Sequence, residues 1–512
     1  MTKRLALIGI DIGTSGSKGV AVTTSGDLLA KHNIEHGLSV PRPGWAEHDA
    51  DAIWWHDFCV ISRLLMETVR TQGYSLAGVG CSAIGPTMLP LDRDGRPLRP
   101  AILYGIDTRA SAEIDILNET LGAENVFNAT GQLLTSQSVG PKILWFKRNE
   151  PDLFRRTNRI ATATTYLVYR LTGEFVVCKY VAPFFGPLFN VERMAWDEDL
   201  ARDICPIAWL PEPRWATEEA GLVTGEAEAQ SGIPAGTPVA VGTVDAAAEA
   251  VSVGAVEPGD AMVMYGTTLF LMQALARYTK HRNLWASVFC VPGRAALSAG
   301  MATSGAITRW FRDEFGQVEL EVQQRLGLNA YSLLAEQAAH SPPGSNGLVT
   351  LPYFSGERTP LNDPDARGLI AGLTLKHGRG DIYRSILEGT ACGLRHNLAT
   401  MAEAGALPRR LVAVGGGVKN PLWLQIASDV TGIPQDVPNE TLGAPIGDAY
   451  LGGLASGVFS DLETLKVTWV KIERTVQPNF SLLELYDNLY DIYRQLYEVT
   501  KKEVHRLARL QS

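Results

Sequence analysis

The chain has 512 residues, 46% of them hydrophobic, and a net charge of −9; it is too long for one ordinary core and predicts two domains of about 200 to 250 residues each. The acidic balance argues against nucleic acid or an anionic membrane as partner, and it obliges an anionic ligand to find a local positive pocket. Six cysteines without CxxC or zinc spacing, no apolar run of about 18 residues and no cleavable leader predict a soluble, cytoplasmic protein with reduced thiols.

The first predicted element is a strand and turn, Leu5 to Gly19, reading LALIGIDIGTSGSKG. An apolar run delivers Asp11 to a turn of small residues, Gly13, Thr14, Ser15, Gly16 and Ser17, that ends at Lys18. Such a turn offers backbone N–H groups, hydroxyls and one ammonium to a polyphosphate, whose magnesium ion Asp11 could approach through water. The alternative is a plain β-hairpin whose glycines supply positive φ. No GxxxxGK[ST] occurs in the chain, so a phosphate site here is not a Walker A loop.

Val20 to Thr24 and Leu28 to His32 flank Ser25-Gly26-Asp27 and predict a further turn and strand, making an antiparallel meander. Ile53, Phe58, Ile61, Leu65 and Val69 recur at helical spacing and predict a helix over 52–71, with a strand returning over 76–81. There Gly78, Gly80 and Ala83 match GxGxxG/A, yet Pro86, Pro90 and the turn Asp92-Arg93-Asp94-Gly95 stand where a helix would have to open. This reads instead as a strand end lining a cleft.

Pro234 to Asp245 (PAGTPVAVGTVD) is a turn and a short apolar strand ending in Asp245, and Asp260 to Ala274 predicts a second hairpin around Tyr265-Gly266-Thr267-Thr268. Two halves with similar starts suggest duplication. Residues 306–339 read as largely helical and Ser341 to Gly347 as a loop. Leu411 to Asn420 (LVAVGGGVKN) is a strand followed by three glycines, which let a flat ring or a sugar approach the backbone, or simply open a helix. Ser481 and Glu484 predict a capping box for a terminal amphipathic helix with Leu482, Tyr486, Leu489, Tyr493, Leu496 and Thr500 on one stripe.

Together these residues resemble the FGGY family of carbohydrate kinases, which transfer the γ-phosphoryl group of ATP to a sugar or polyol hydroxyl. The most specific piece is Gly368 to Glu388, GLIAGLTLKHGRGDIYRSILE, which satisfies the family's C-terminal signature. Asp11-Ile12-Gly13-Thr14-Ser15, Trp45 to Trp55, Lys142-Ile143-Leu144-Trp145, Gly356-Glu357-Arg358-Thr359-Pro360 and Gly415-Gly416-Gly417 follow in family order. The N-terminal signature is partial, departing at Gln137 and Val139.

The resemblance implies an α/β fold of two actin-like (ribonuclease H-like) domains flanking a catalytic cleft, expected here as 1–245 on the sugar side and 246–512 on the adenosine side. It implies ATP and magnesium as cofactors. Asp11, Gly13, Thr14, Ser15 and Lys18 would form the first phosphate loop, and Gly266, Thr267 and Thr268, with Gly305, the second. Gly415, Gly416, Gly417 and Asn420 would face the adenosine. Asp245 matches the catalytic aspartate, with Asp11 and Asp245 nearest the metal.

Within the family the pattern is closest to xylulose kinases, so D-xylulose or a related pentulose is the first expected acceptor. Ile84-Gly85-Pro86-Thr87 stands where those enzymes carry a Gln-Met-His-Gly run, and Tyr104 to Arg109 replaces a Trp-Asn-Asp segment one residue shorter. Thr87, Tyr104, Asp107 and Asp245 are the expected substrate contacts; Asp107 could instead cap a helix near Arg109. Gluconate or another sugar acid stays open as acceptor, an actin-like or chaperone-like ATPase is the reading of another class, and a homodimer is left open.

Overall fold

The computed structural model describes residues 4–439 and 442–511. Its first half is built on a seven-stranded sheet that begins with a meander, β1 (Leu5–Ile12), β2 (Gly16–Thr23) and β3 (Leu28–Glu35), each antiparallel to the next. Strand Ser75–Ala83 lies parallel to β1 on its other side, and Pro238–Ala240 and Glu219–Leu222 continue the sheet outward. Thr243–Val244, immediately before Asp245, pairs with the far end of Ser75–Ala83.

The second half repeats this order. Asp260–Tyr265 pairs antiparallel with Leu269–Leu275, which pairs with Ala295–Met301, while Arg410–Val414 lies parallel on the other side of Asp260–Tyr265. The two similar hairpin starts thus open two sheets of like topology; the apolar core of the first sheet runs on to one face of the second at Met262, Met272, Val412 and Val414, and a separate core covers the second sheet's other face. The β1 sequence is apolar on both faces because both are covered. Helix α1 (His56–Thr71) brings Ile61 and Leu65 against Gly19 on one face, and helix Ala444–Ala455 lies on the other, its Pro445 carbonyl against Gly9.

That late helix explains the GxGxxG-like glycines. A Cβ on Gly78 would meet the carbonyl of Gly452, and one on Gly80 that of Asp448, both well inside contact distance. These glycines admit a helix backbone rather than a dinucleotide. Helix Ala444–Ala455 also touches helix Asp245–Ser252, where Gly447 abuts the Ala248 carbonyl. A segment far along the chain therefore closes the first sheet.

Three predicted elements differ in detail. The helix over 52–71 is a π-type turn, Ala50–Trp55, capped by Asp49, that runs into α1. The helical stretch over 306–339 is three helices, Gly305–Phe315, Gln317–Leu326 and Ala330–His340. The capping box at Ser481 and Glu484 does not form: Asn479 Oδ1 accepts from Ser481 N at 3.2 Å and from Ser481 Oγ at 2.7 Å, starting a short 3₁₀ turn before helix Leu483–Arg509. Ser481 therefore lies inside that turn, Phe480–Leu482, and Leu482 takes the N-cap position of the long helix, so the serine is not where a capping residue acts. The apolar stripe holds, with Tyr486 and Tyr493 buried and joined by Tyr490 and Tyr497.

Candidate active site

A cleft of about 840 Å³ lies where the tips of the two central hairpins meet. Its floor comes from the ends of β1 and of helix Asp245–Ser252. Asp11, at the end of β1, is cross-strand partner to Lys18 of β2. The turn between them is closed by Gly13 N donating to Gly16 O at 3.0 Å. Neither Gly13 nor Gly16 is among the positive-φ glycines; a Cβ on Gly13 would lie 2.7 Å from Gly16 O, so close approach and not handedness requires glycine there.

The second hairpin faces it. Gly266 N donates to Thr268 O at 3.0 Å, and Gly305 N donates to Gly266 O at 2.8 Å, so the start of helix Gly305–Phe315 is stitched to the hairpin. A Cβ on Gly305 would stand 2.6 Å from Gly266 O. Gly415, at φ 89°, turns the chain beside Tyr265, and Gly416 has open space around its Cα. Asn420 accepts from Trp423 N at 3.2 Å, capping helix Pro421–Thr431.

Carboxylates dominate the floor. Burial pushes Asp11 up to about 6, against the opposing pull of a Ser82 hydrogen bond and the Lys18 charge. Asp245 is pushed up to about 7 by burial and then by the charge of Asp11, and Glu249, one turn further along the same helix, rises to about 7 for the same two reasons. Asp245 Oδ1 accepts from Ala246 N at 2.7 Å, which fixes the carboxyl at the helix start. Behind the floor, the Ser82 hydroxyl lies 3.0 Å from Asp11 Oδ1 and 2.7 Å from Asp448 Oδ2. One hydroxyl proton cannot serve two carboxylates, and burial pushes Asp448 well up, so a protonated Asp448 completes the chain to Ser82 and Asp11.

Asp11, Gly13, Thr14, Ser15, Lys18, Tyr104, Asp245, Thr268, Gly415 and Gly416 all line the cleft. Thr87 and Asp107 do not. Thr87 is fully buried and accepts from Ala163 N at 2.8 Å. Asp107 accepts from Ala46 N at 2.7 Å and is held by the Arg109 guanidinium at 2.7 to 3.0 Å, with Arg109 in turn stacked 3.9 Å from the Trp45 ring. It caps no helix either: Ala110 precedes helix Ser111–Leu121 without a side-chain cap. An ion pair between two fully shielded side chains ties the Pro43-to-Trp45 loop to the wall behind the cleft.

Residues not expected at the site complete the lining, among them Glu249, Gln137, Trp285, Arg358 and Lys419. Glu249 was legible in principle, lying four residues after Asp245 on one helix face. Trp285, on the edge strand Trp285–Val288, and Phe270, on Leu269–Leu275, stack at 6.4 Å across the intervening strand Ala295–Met301 and carried no signal short of the fold. Tyr104 joins the two ends of the cleft, its hydroxyl 3.1 Å from Thr14 Oγ1. No described helix is long and apolar enough to cross a membrane, and all six cysteines are buried and unpaired.

Comparison with known proteins meets this geometry from another side. Residues 6–252 match the N-terminal domain of the FGGY family of carbohydrate kinases and residues 261–456 its C-terminal domain. The xylulose kinase of Escherichia coli is 28% identical over 501 residues, covering 96% of this chain and 98% of that protein. The gluconokinase of Bacillus subtilis is 26% identical over 501 residues, covering 96% of each. Among solved structures, a xylulose kinase from Rhodospirillum rubrum superposes with a TM-score of 0.90 at 30% identity, covering 98% of this chain and 100% of that one.

Proposed function

The chain belongs to the FGGY family of carbohydrate kinases and is an ATP-dependent sugar kinase, and from that premise we propose that it phosphorylates a hydroxyl of D-xylulose or a related pentulose. The observation that carries the reading is Asp245, held by Ala246 N at the start of its helix and opening into a cleft shared with both hairpins. Phosphoryl transfer needs the attacking hydroxyl aligned with the γ-phosphorus and its proton removed. Asp245 is the group that takes that proton, and Tyr104 and Gln137 line the same wall as acceptor contacts.

The two hairpins hold the phosphates with backbone N–H groups and Lys18, while Gly415, Gly416, Gly417 and Asn420 form the adenosine side. Magnesium fits the floor. Asp11 raises the proton affinity of Asp245, a conflict of like charges that a hard dication relieves through all-oxygen ligands. Among the described residues no cluster of three or more His, Cys, Asp or Glu is shaped to hold a metal alone; Asp11 and Asp245 would share the ion with phosphate oxygens and water. When bound it neutralises charge on the transferring phosphoryl group.

Gluconate is the second reading, favoured by Arg358, which lines the cleft and forms no ion pair in the described structure. The deciding measurement is ADP release across pentuloses, hexuloses, polyols and aldonates at fixed Mg-ATP. D-xylulose is expected to give the highest kcat/KM. Preference for an aldonate would replace the pentulose reading with the sugar-acid one, and ADP release indifferent to every compound would sink both.

A further inference from the structure

Beneath the first phosphate hairpin lies a cluster that none of the preceding chemistry uses. His36, just past β3, touches the hairpin twice: its backbone N donates to Ser15 O at 3.2 Å, and its ring Nε2 lies 3.1 Å from Gly13 O. Its other ring nitrogen, Nδ1, is 2.9 Å from Asp57 Oδ2 at the start of α1. Ser17 Oγ donates to the same carboxylate oxygen at 2.7 Å. Both partners of the ion pair are shielded, with side chains 7% and 4% exposed.

The hydrogen-bond inventory decides the state of the ring. A backbone carbonyl only accepts, so Nε2 carries a proton. Asp57 stays ionised: burial pushes it up, but hydrogen bonds from His36, Ser17 and His56 outweigh that and hold it below the usual carboxylate range. A carboxylate also only accepts, so Nδ1 carries a proton too. The neighbouring His48, edge-on to His36 at 5.2 Å, is the opposite case. Its Nδ1 accepts from Trp54 Nε1 at 3.1 Å, and burial and the charge of His36 push it down to about 4.

We propose that His36 is a positioning residue for the kinase reaction: an imidazolium, clamped by Asp57, that pins the Gly13 carbonyl down so that the turn's amides face the phosphates of ATP. The amides of Thr14 and Ser15 meet no carbonyl partner among the described residues, which leaves them to a ligand. The groups facing His36 are Asp57 and, beyond it, His56 on α1, His48, and Ser17 on β2, with Lys18 and Glu35 on the adjoining strands. A neutral ring has a single N–H and must release either Gly13 or Asp57.

The inference rests on reading the hairpin as the ATP phosphate loop, and the test separates the two. KM for ATP and kcat are measured for wild type, His36→Gln and a Ser15→Pro control, which removes one turn amide. His36→Gln is expected to raise KM for ATP about tenfold, as for loss of a charge-assisted hydrogen bond, with kcat at saturating ATP within about threefold. Raised KM in Ser15→Pro with His36→Gln matching wild type overturns the role of His36 alone. Unchanged KM in Ser15→Pro overturns the phosphate-loop reading and this proposal with it. Should His36→Gln not fold, imidazole ¹⁵N spectra of the wild type decide: both His36 nitrogens protonated at neutral pH supports the clamp, and a neutral tautomer refutes it.

Discussion

On the proposed reading Asp245 is the side chain on which turnover depends most directly, because its cleft-facing carboxyl is fixed by Ala246 N at the start of its helix. Replacing it with Asn keeps the size and the acceptor for Ala246 but removes the base. Asp245→Asn is expected to lower kcat by about 10² to 10⁴ while KM for ATP changes less than about twofold in steady-state assays; near-normal kcat would rule Asp245 out as the base. Asp11 was legible from sequence because it ends an apolar strand at a small-residue turn, and Asp245 because it ends a short apolar strand of like design. Thr87 and Asp107 were expected only from the resemblance to xylulose kinases, and they lie elsewhere. Their partners, Ala163 N for one and Ala46 N and Arg109 for the other, come from segments whose proximity no local pattern announces.

At the scale of elements, the informative misfit is the strand Ser75–Ala83. Its glycines look like a nucleotide fingerprint, and their cause is the backbone of helix Ala444–Ala455, which arrives from more than 350 residues away. Gly80→Ala is therefore expected to behave as an overpacking change, lowering the unfolding free energy by about 1–3 kcal/mol in chemical denaturation. A substitution without effect would mean that the helix yields easily. Meander, hairpins and terminal helix followed from periodicity and turn residues. The capping box at Ser481 failed because Asn479 starts a 3₁₀ turn that takes Ser481 inside it, a choice between near-equal local bonds that context settles.

For the whole molecule, two like sheets facing one cleft suggest closure on ligands, since water must be excluded from the phosphoryl group in transfer. Small-angle scattering is expected to report a smaller radius of gyration when Mg-ATP and the accepted sugar are both present; an unchanged profile would argue for a preformed site. The likeness of the halves was visible in the sequence, because apolar strand, small-residue turn and returning strand recur at Asp11 and at Tyr265, and the alternation that buries a strand is written locally. A cleft between the halves came with the family resemblance; its lining did not. Tyr104 against Thr14, Trp285 on Phe270, Ser82 between Asp11 and Asp448, and His36 between Gly13 and Asp57 are meetings of distant segments. Sequence alone determined the elements, the duplicated plan and the two carboxylates, Asp11 and Asp245, on which the proposed chemistry rests, since these depend on short-range period and residue type. Tertiary structure decided which polar groups face ligand and which are consumed by one another, because hydrogen-bond and charge satisfaction is fixed only when the whole chain has closed around them.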